Sequence, residues 1–307
     1  MNKPTIAISI GDLSGVGIEL AFNSHKEISK LCKPVYCINE EMLAQAATLL
    51  NAAIPDDFTI APIDGYFDIK VAKVNAQSGK YAYDSFMKAI ELCQTQQAEA
   101  VVTLPIHKEA WMMAGLEYKG HTDLMRKYFD KDAIMMLGTP DMFVALFTEH
   151  VPLKEVASAI EHNRLKQFFL DLHNSIKKEK IAVLGLNPHA GDNGVLGDEE
   201  QIITKAINSA NEAIGFEQFV GPIVPDVAFA PYFRKNYNYF VAMYHDQGLA
   251  PLKALYFDES VNISLNLPII RTSVDHGTAF DIAYKNQANN LSYLNAVKSA
   301  IKLIKNS

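Results

Sequence analysis

Between Val241 and Asp281 the chain reads VAMYHDQGLAPLKALYFDESVNISLNLPIIRTSVDHGTAFD, and side chains able to do chemistry crowd into it. An apolar strand-like run ends on His245-Asp246-Gln247-Gly248. Lys253, Asn262 and Arg271 follow, and the stretch closes on the loop Asp275-His276-Gly277-Thr278. His245 has the type of a metal ligand, and Lys253 and Arg271 are cations for an anionic substrate. Strands that run into His, Asp and Gly mark where open α/β sheets place their chemistry, outside the carboxyl ends of the strands.

Two more histidines share this context. His150 follows the apolar run Met142–Phe147, and His189 follows Ile181–Leu186. Three imidazoles brought together with an open position would hold zinc or a similar divalent ion, which polarises a substrate oxygen and acidifies its proton. Separations of this size form no local ligand motif, so each histidine is equally readable as a hydrogen-bonded loop residue. His25, His162 and His173 fall on helical stretches and are read as ordinary side chains.

Two further loops bear on a site. His121-Thr122-Asp123 lies where a loop turns into a helix read from Leu124. Hydroxyl, imidazole and free backbone N–H groups there suit a phosphate or carboxylate, or Thr122 or Asp123 simply caps the helix. Gly11, Gly15 and Gly17 follow the first strand, Thr5–Ile10. Their spacing is not GxGxxG, so no Rossmann dinucleotide loop is assigned, and a tight strand-to-helix turn reads as well as ligand contact.

The elements that must position these residues alternate. Strands are expected at 35–38, 100–104, 133–137, 142–147, 181–186 and 241–243. Helices are expected at 42–50, 81–96, 155–159, 164–178, 199–214 and 291–304, and residues 55–75 read as irregular and strand-rich. Strand–helix alternation over the whole length predicts a largely parallel α/β architecture. With 307 residues, two domains are the default.

The chain is 49% apolar and 21% charged with a formal net charge of -7, which argues against a nucleic-acid partner. Three cysteines without CxxC spacing suit a reducing compartment. Met1-Asn2-Lys3-Pro4 leads directly into a strand, so no signal peptide is expected, and no segment approaches the roughly 20 apolar residues of a membrane span. The expectation is a cytoplasmic protein with no membrane partner.

The strings GDLSGVG (11–17), LPIHK (104–108), GHTD (120–123), TEHVPL (148–153), GLNPHAGDNG (185–194), MYHDQGLAPLK (243–253) and VNISLNLPIIRTSVDHGTA (261–279) occur in this order. Together they closely resemble the PdxA family, the decarboxylating dehydrogenases of pyridoxal phosphate biosynthesis. The resemblance implies two α/β/α domains with a cleft, like isocitrate and isopropylmalate dehydrogenases: residues 1–118 plus 268–307, and residues 119–267. It implies a homodimer with the active site at the interface, and one divalent ion (Zn, Mg or Co) on His150, His189 and His245. His121, Thr122, Lys253, Asn262 and Arg271 match the family's substrate positions.

DHGTAFDIA at 275–283 also looks like the adenosine-binding loop of isocitrate-type enzymes. This assigns NAD (or NADP) to Asp275, His276, Gly277 and Thr278. The implied reaction oxidises 4-phosphooxy-L-threonine, a small phosphorylated amino acid, at C3. The resulting β-keto acid loses CO2 to give 3-amino-2-oxopropyl phosphate, with Lys253 or Asp246 handling protons. Alternatives are a paralogue acting on threonate or erythronate phosphate and a non-redox phosphate acyltransferase of related fold. The chain departs from the usual family pattern at Ile10 and Leu13 (prolines), Leu104 (glycine), Asn266 (the glycine of LGLP) and Tyr284 (the glycine of DLAG).

Overall fold

A computed structural model describes residues 3–177 and 179–306. Met1 and Asn2 of the expected leaderless start, and Lys178 at the end of an expected helix, lie outside the described residues. In chain order the first elements are β1 (Thr5–Ser9), α1 (Gly17–Leu31), β2 (Lys33–Cys37), α2 (Glu40–Leu50), α3 (Ala76–Gln94) and β3 (Ala100–Thr103). Next come α4 (Lys108–Met113), α5 (His121–Phe129), β4 (Ile134–Thr139), β5 (Met142–Leu146), α6 (Leu153–Ala159), α7 (His162–Ser175) and β6 (Ile181–Leu184). A turn of 3-10 type at Pro188–Gly194 precedes α8 (Glu199–Ile214), β7 (Phe219–Ile223), α9 (Pro225–Ala228), α10 (Pro231–Arg234) and β8 (Tyr239–Ala242). The chain ends through α11 (His245–Tyr256), β9 (Val261–Leu265), β10 (Ile270–Val274) and α12 (Leu291–Asn306).

These elements form two compact units. Residues up to Lys131 together with those from Val261 onward make the first, and Asp132–Ser260 the second.

In the first unit the strand order is β2-β1-β3-β10-β9, parallel except for the antiparallel β10–β9 pair. Every residue of β3 is buried, as expected when helices cover both faces of a parallel sheet. The core gathers Phe86 and Ile90 of α3, Trp111 of α4 and Leu124 and Met125 of α5 against Ala7 and Val101. α12 packs on β3, β10 and α1. Asn39 and Asn75 start α2 and α3 by accepting the Met42 and Ser78 amides.

The segment 55–75 departs from expectation. It is irregular but contains no strand, only an isolated bridge from Ile60 to Tyr36. Side-chain amides take over the backbone groups a neighbouring strand would use. Asn39 donates to the Ile63 and Gly65 carbonyls, and Gln45 donates to Phe67 O while accepting from Ile69 N.

In the second unit the order is β4-β5-β8-β6-β7. β4 and β5 form an antiparallel hairpin, and β5, β8, β6 and β7 are mutually parallel. Parallel neighbours finish at one sheet edge, so the segments after β5, β8 and β6 leave from adjacent positions. α11, unread in the sequence, begins at His245, and its fourth residue is a glycine for a steric reason. A Cβ on Gly248 would stand 2.4 Å from Val144 Cγ1 and 2.9 Å from Ala242 Cβ, so its absence lets the first turn of α11 close onto β5 and β8.

Candidate active site

The second unit delivers all three strand-end histidines to one sheet edge. Beyond β5 and β8 the pairing continues through Phe147 N to Ala242 O and through Thr148, whose amide and Oγ1 both donate to Met243 O, the latter at 2.6 Å. This brings the rings of His150 and His245 to 5.4 Å, centroid to centroid. His245 Nδ1 lies 2.6 Å from Asp246 Oδ1. A carboxylate that accepts a hydrogen bond from Nδ1–H leaves Nε2 as the lone-pair nitrogen, the arrangement that supports metal-ligating imidazoles. Gln247 ties β8 to β6, accepting from Met243 N and donating to Gly185 O, both at 2.7 Å.

His189 follows β6 but does not join that pair. Among the described residues no group of three or more His, Cys, Asp or Glu side chains lies close enough to hold a metal ion. His189 opens a run of five residues with left-handed backbone angles, His189 to Asn193, with φ between 43° and 76°. Such angles cost L-residues about 1 kcal/mol or more each, so the turn needs outside support. Glu200 of α8 supplies it. Its Oε1 accepts the Leu186 and Asn187 amides at 2.9 and 2.7 Å, and its Oε2 accepts Asn187 Nδ2 at 3.0 Å. Glu199 Oε2 holds the same amide group at 2.7 Å.

Burial pushes the Glu200 carboxyl up. The hydrogen bonds from the Asn187 side chain and the surrounding amides outweigh burial and leave it below the ordinary 4.5. Sequence reading missed Glu200 because nothing in a helical Glu-Glu pair distinguishes a buried brace from a solvated face.

Lys253 lies on α11, half-buried, with Nζ 3.4 Å from Ser260 Oγ and 5.3 Å from the centre of the Phe257 ring. Asp246, the other residue assigned to proton transfer, is engaged with His245.

The first unit gathers His121, Thr122, Asn262 and Arg271. On β9 and β10 the pairs Ser264–Arg271 and Asn262–Ser273 stand directly opposite one another, and alternation puts all four side chains on one face. Arg271 is buried, at 2% exposure. Its Nε and Nη2 donate to Thr103 Oγ1 at 3.2 and 2.7 Å, and its Nη1 donates to Ser264 Oγ at 3.1 Å. Burial lowers its pKa to about 9, and among the described residues no acidic group offsets that effect. This buried guanidinium is held only by neutral hydroxyls, and an unpaired interior charge is costly.

Above it, α5 starts at His121 rather than at Leu124, so His121 and Thr122 are its first residues, and neither caps it. Asp123 instead accepts the Lys119 amide at 3.0 Å. His121 is clasped edge-on by Phe86 and Trp111, at 4.6 and 5.5 Å between ring centres. Its Nε2 and the Asn262 Oδ1 are buried with no hydrogen-bond partner among the described residues. Burial, then the Arg271 charge, holds the His121 pKa well below 6.5, so this imidazole is neutral. Thr122 Oγ1 stands 3.5 Å from Ser264 Oγ.

The loops after β1, β3 and β10 meet at the carboxyl edge of the first unit. A Cβ on Gly11 would lie 2.3 Å from Pro105 O, and one on Gly15 would lie 2.7 Å from Thr278 O. The Asp12 amide donates to Pro105 O and the Val16 amide to Thr278 O. The first glycine loop is therefore a packing turn. Of the nucleotide-loop residues, Thr278 is buried in that packing, and the Asp275 amide is fixed by Ser292 Oγ at 3.1 Å. His276 and Gly277 are exposed, with open space over Gly277 where a ligand could approach the backbone.

Tyr284 keeps a left-handed φ of 60° where the resemblance expects glycine, and its hydroxyl donates to Leu13 O at 2.7 Å. Asn266, the other replacement for glycine, has a φ of 59°. The backbone shape survives both substitutions.

Comparison with known proteins gives the family. The chain is 67% identical, over 99% of both chains, to the 4-hydroxythreonine-4-phosphate dehydrogenase of Sulfurimonas denitrificans. It is 55% identical over the same share of both chains to the enzyme of that name from Campylobacter fetus. The crystal structure of the Klebsiella pneumoniae 4-hydroxythreonine-4-phosphate dehydrogenase, 32% identical, superposes with a TM-score of 0.84 and 98% coverage of both chains. The family model for pyridoxal phosphate biosynthetic protein PdxA matches residues 30–300, and the chain belongs to that family.

Proposed function

We propose that this chain oxidises 4-phosphooxy-L-threonine at C3 and releases CO2, giving 3-amino-2-oxopropyl phosphate for pyridoxal 5'-phosphate biosynthesis. The observation that carries the reading is Arg271: a buried cation with only hydroxyl partners, beside a neutral His121 whose Nε2 is unpartnered, suits a substrate bearing phosphate and carboxylate. Oxidation at C3 places a ketone β to the carboxylate, and a β-keto acid loses CO2 because the electrons left behind enter the carbonyl.

When bound, a nicotinamide cofactor takes up the hydride and a divalent ion polarises the C3 oxygen. Two histidines of this chain suit the ion, and the loop at His276 and Gly277 suits the nucleotide. His150 and His245 offer adjacent imidazoles, and the His245–Asp246 bond fixes the tautomer a ligand needs. We assign the third donor to His189, with the set completed in a cytoplasmic homodimer whose active site lies at the interface. Imidazole donors suit Zn and neighbouring transition metals such as Co, whereas Mg takes oxygen ligands and would rest on substrate and water oxygens. His276 and Gly277 present an exposed face to the nucleotide, for which NAD is our assignment. Lys253 handles the proton, since the Asp246 carboxylate serves His245.

The test is NADH absorbance with purified protein, NAD, 4-phosphooxy-L-threonine and divalent metal, run beside a chelated sample. Metal-dependent NADH and CO2 together establish the reaction. A signal with threonate phosphate alone would move the substrate, and silence with both would overturn the redox reading.

A further inference from the structure

The way Arg271 is held limits what it can still do. A guanidinium carries five N–H groups. Three are engaged: Nε and one on Nη2 with Thr103 Oγ1, and one on Nη1 with Ser264 Oγ. One hydrogen remains on each terminal nitrogen, available to the oxygens of a carboxylate or phosphate.

The partners are themselves fixed. Ser264 is the direct cross-strand neighbour of Arg271, and Thr103 ends β3 with its carbonyl bonded by Ser273 Oγ at 3.2 Å. Thr103 Oγ1 bonds only Arg271 among the described residues and does so twice as acceptor, so its own hydrogen points elsewhere.

We infer that Thr103 and Ser264 are positioning residues, whose hydroxyls turn the two remaining Arg271 N–H groups toward the substrate's anionic group. The inference rests on the proposed role of Arg271 in substrate binding. It also explains two hydroxyls at a buried sheet face, where valine and alanine would pack as well. Without the Thr103 acceptor the fork has no partner on its Nε edge and turns to find one.

The experiment compares Thr103→Val, Thr103→Ser, Ser264→Ala and Arg271→Met in the NADH assay, with thermal melts of each. Thr103→Val is expected to raise KM about ten- to hundredfold, with kcat changed much less. Thr103→Ser, which restores the acceptor, is expected to return KM to within a few-fold. Ser264→Ala should act in the same direction, and it decides the matter if Thr103→Val does not fold. Arg271→Met separates the two levels of the argument. If its KM is unchanged, the anion reading itself fails. If it raises KM while folded Thr103→Val and Ser264→Ala do not, only the positioning inference is overturned. A loss in kcat alone, or failure of Thr103→Ser to rescue, would also overturn it.

Discussion

His245 and Asp246 are sequence neighbours whose side chains face each other across 2.6 Å, Nδ1 to Oδ1, at the first turn of α11. Asp246 is largely solvent-exposed otherwise, so its defined contact is with the imidazole. Replacing Asp246 with alanine should weaken divalent-ion binding about 10- to 100-fold, the range for a lost carboxylate behind a ligating histidine. Calorimetric titration of the metal-free protein with Zn2+ measures it, and unchanged affinity would remove Asp246 from any role behind His245.

Glu200 braces the left-handed turn that carries His189, and its carboxylate needs its charge to accept on both oxygens. Glu200→Gln places an NH2 against Asn187 or against two amides. It should cost about 1–3 kcal/mol in urea unfolding at neutral pH. Because the folded pKa lies below 4.5, this contribution is fully present above that value and is lost as pH falls through the folded pKa. The gap between wild type and variant should therefore shrink in acid. A constant gap would place the cost in packing rather than charge.

Arg271 should be a liability to folding. A buried guanidinium without an acidic partner carries an uncompensated desolvation cost, which an apolar chain of similar length removes. Arg271→Met is expected to raise the melting temperature by several degrees while it raises KM. A lower melting temperature would show that the Thr103 and Ser264 hydroxyls fully compensate the charge.

His121 sets an acid limit. Above its ordinary pKa of 6.5 it is neutral folded or unfolded. Below 6.5 the unfolded chain takes up a proton that the buried imidazole, with its lowered pKa, refuses. Stability should fall as pH drops from about 6.5, with a smaller slope in His121→Gln. Chemical denaturation at a series of pH values reads both slopes, and identical slopes would mean that His121 is protonated in place.

The sequence by itself determined the alternation of strands and helices and the arrival of three histidines at strand ends. It also carried the family, whose strings are read residue by residue. Those features are local: an apolar run of the right length ends on polar residues whatever surrounds it. Glycine positions were half legible. The backbone turns where the resemblance places glycine, yet Asn266 and Tyr284 hold the left-handed angles there, Tyr284 with its hydroxyl on Leu13.

Only the tertiary structure decided what depends on partners distant in the chain. Thr103 meets Arg271 across 168 residues, and neither position carries a local signal for that bond. Residues 55–75 read as strand-rich, yet their backbone groups go to Asn39 and Gln45 side chains, a choice no hydrophobic period records. The first glycine loop became a packing turn because Pro105 and Thr278 come within reach of it. The pairing of His150 with His245, and not with His189, follows from which strand lies beside which and from a turn braced by Glu200. Side-chain type fixes what a residue can do, and register and burial fix which neighbour it does it with.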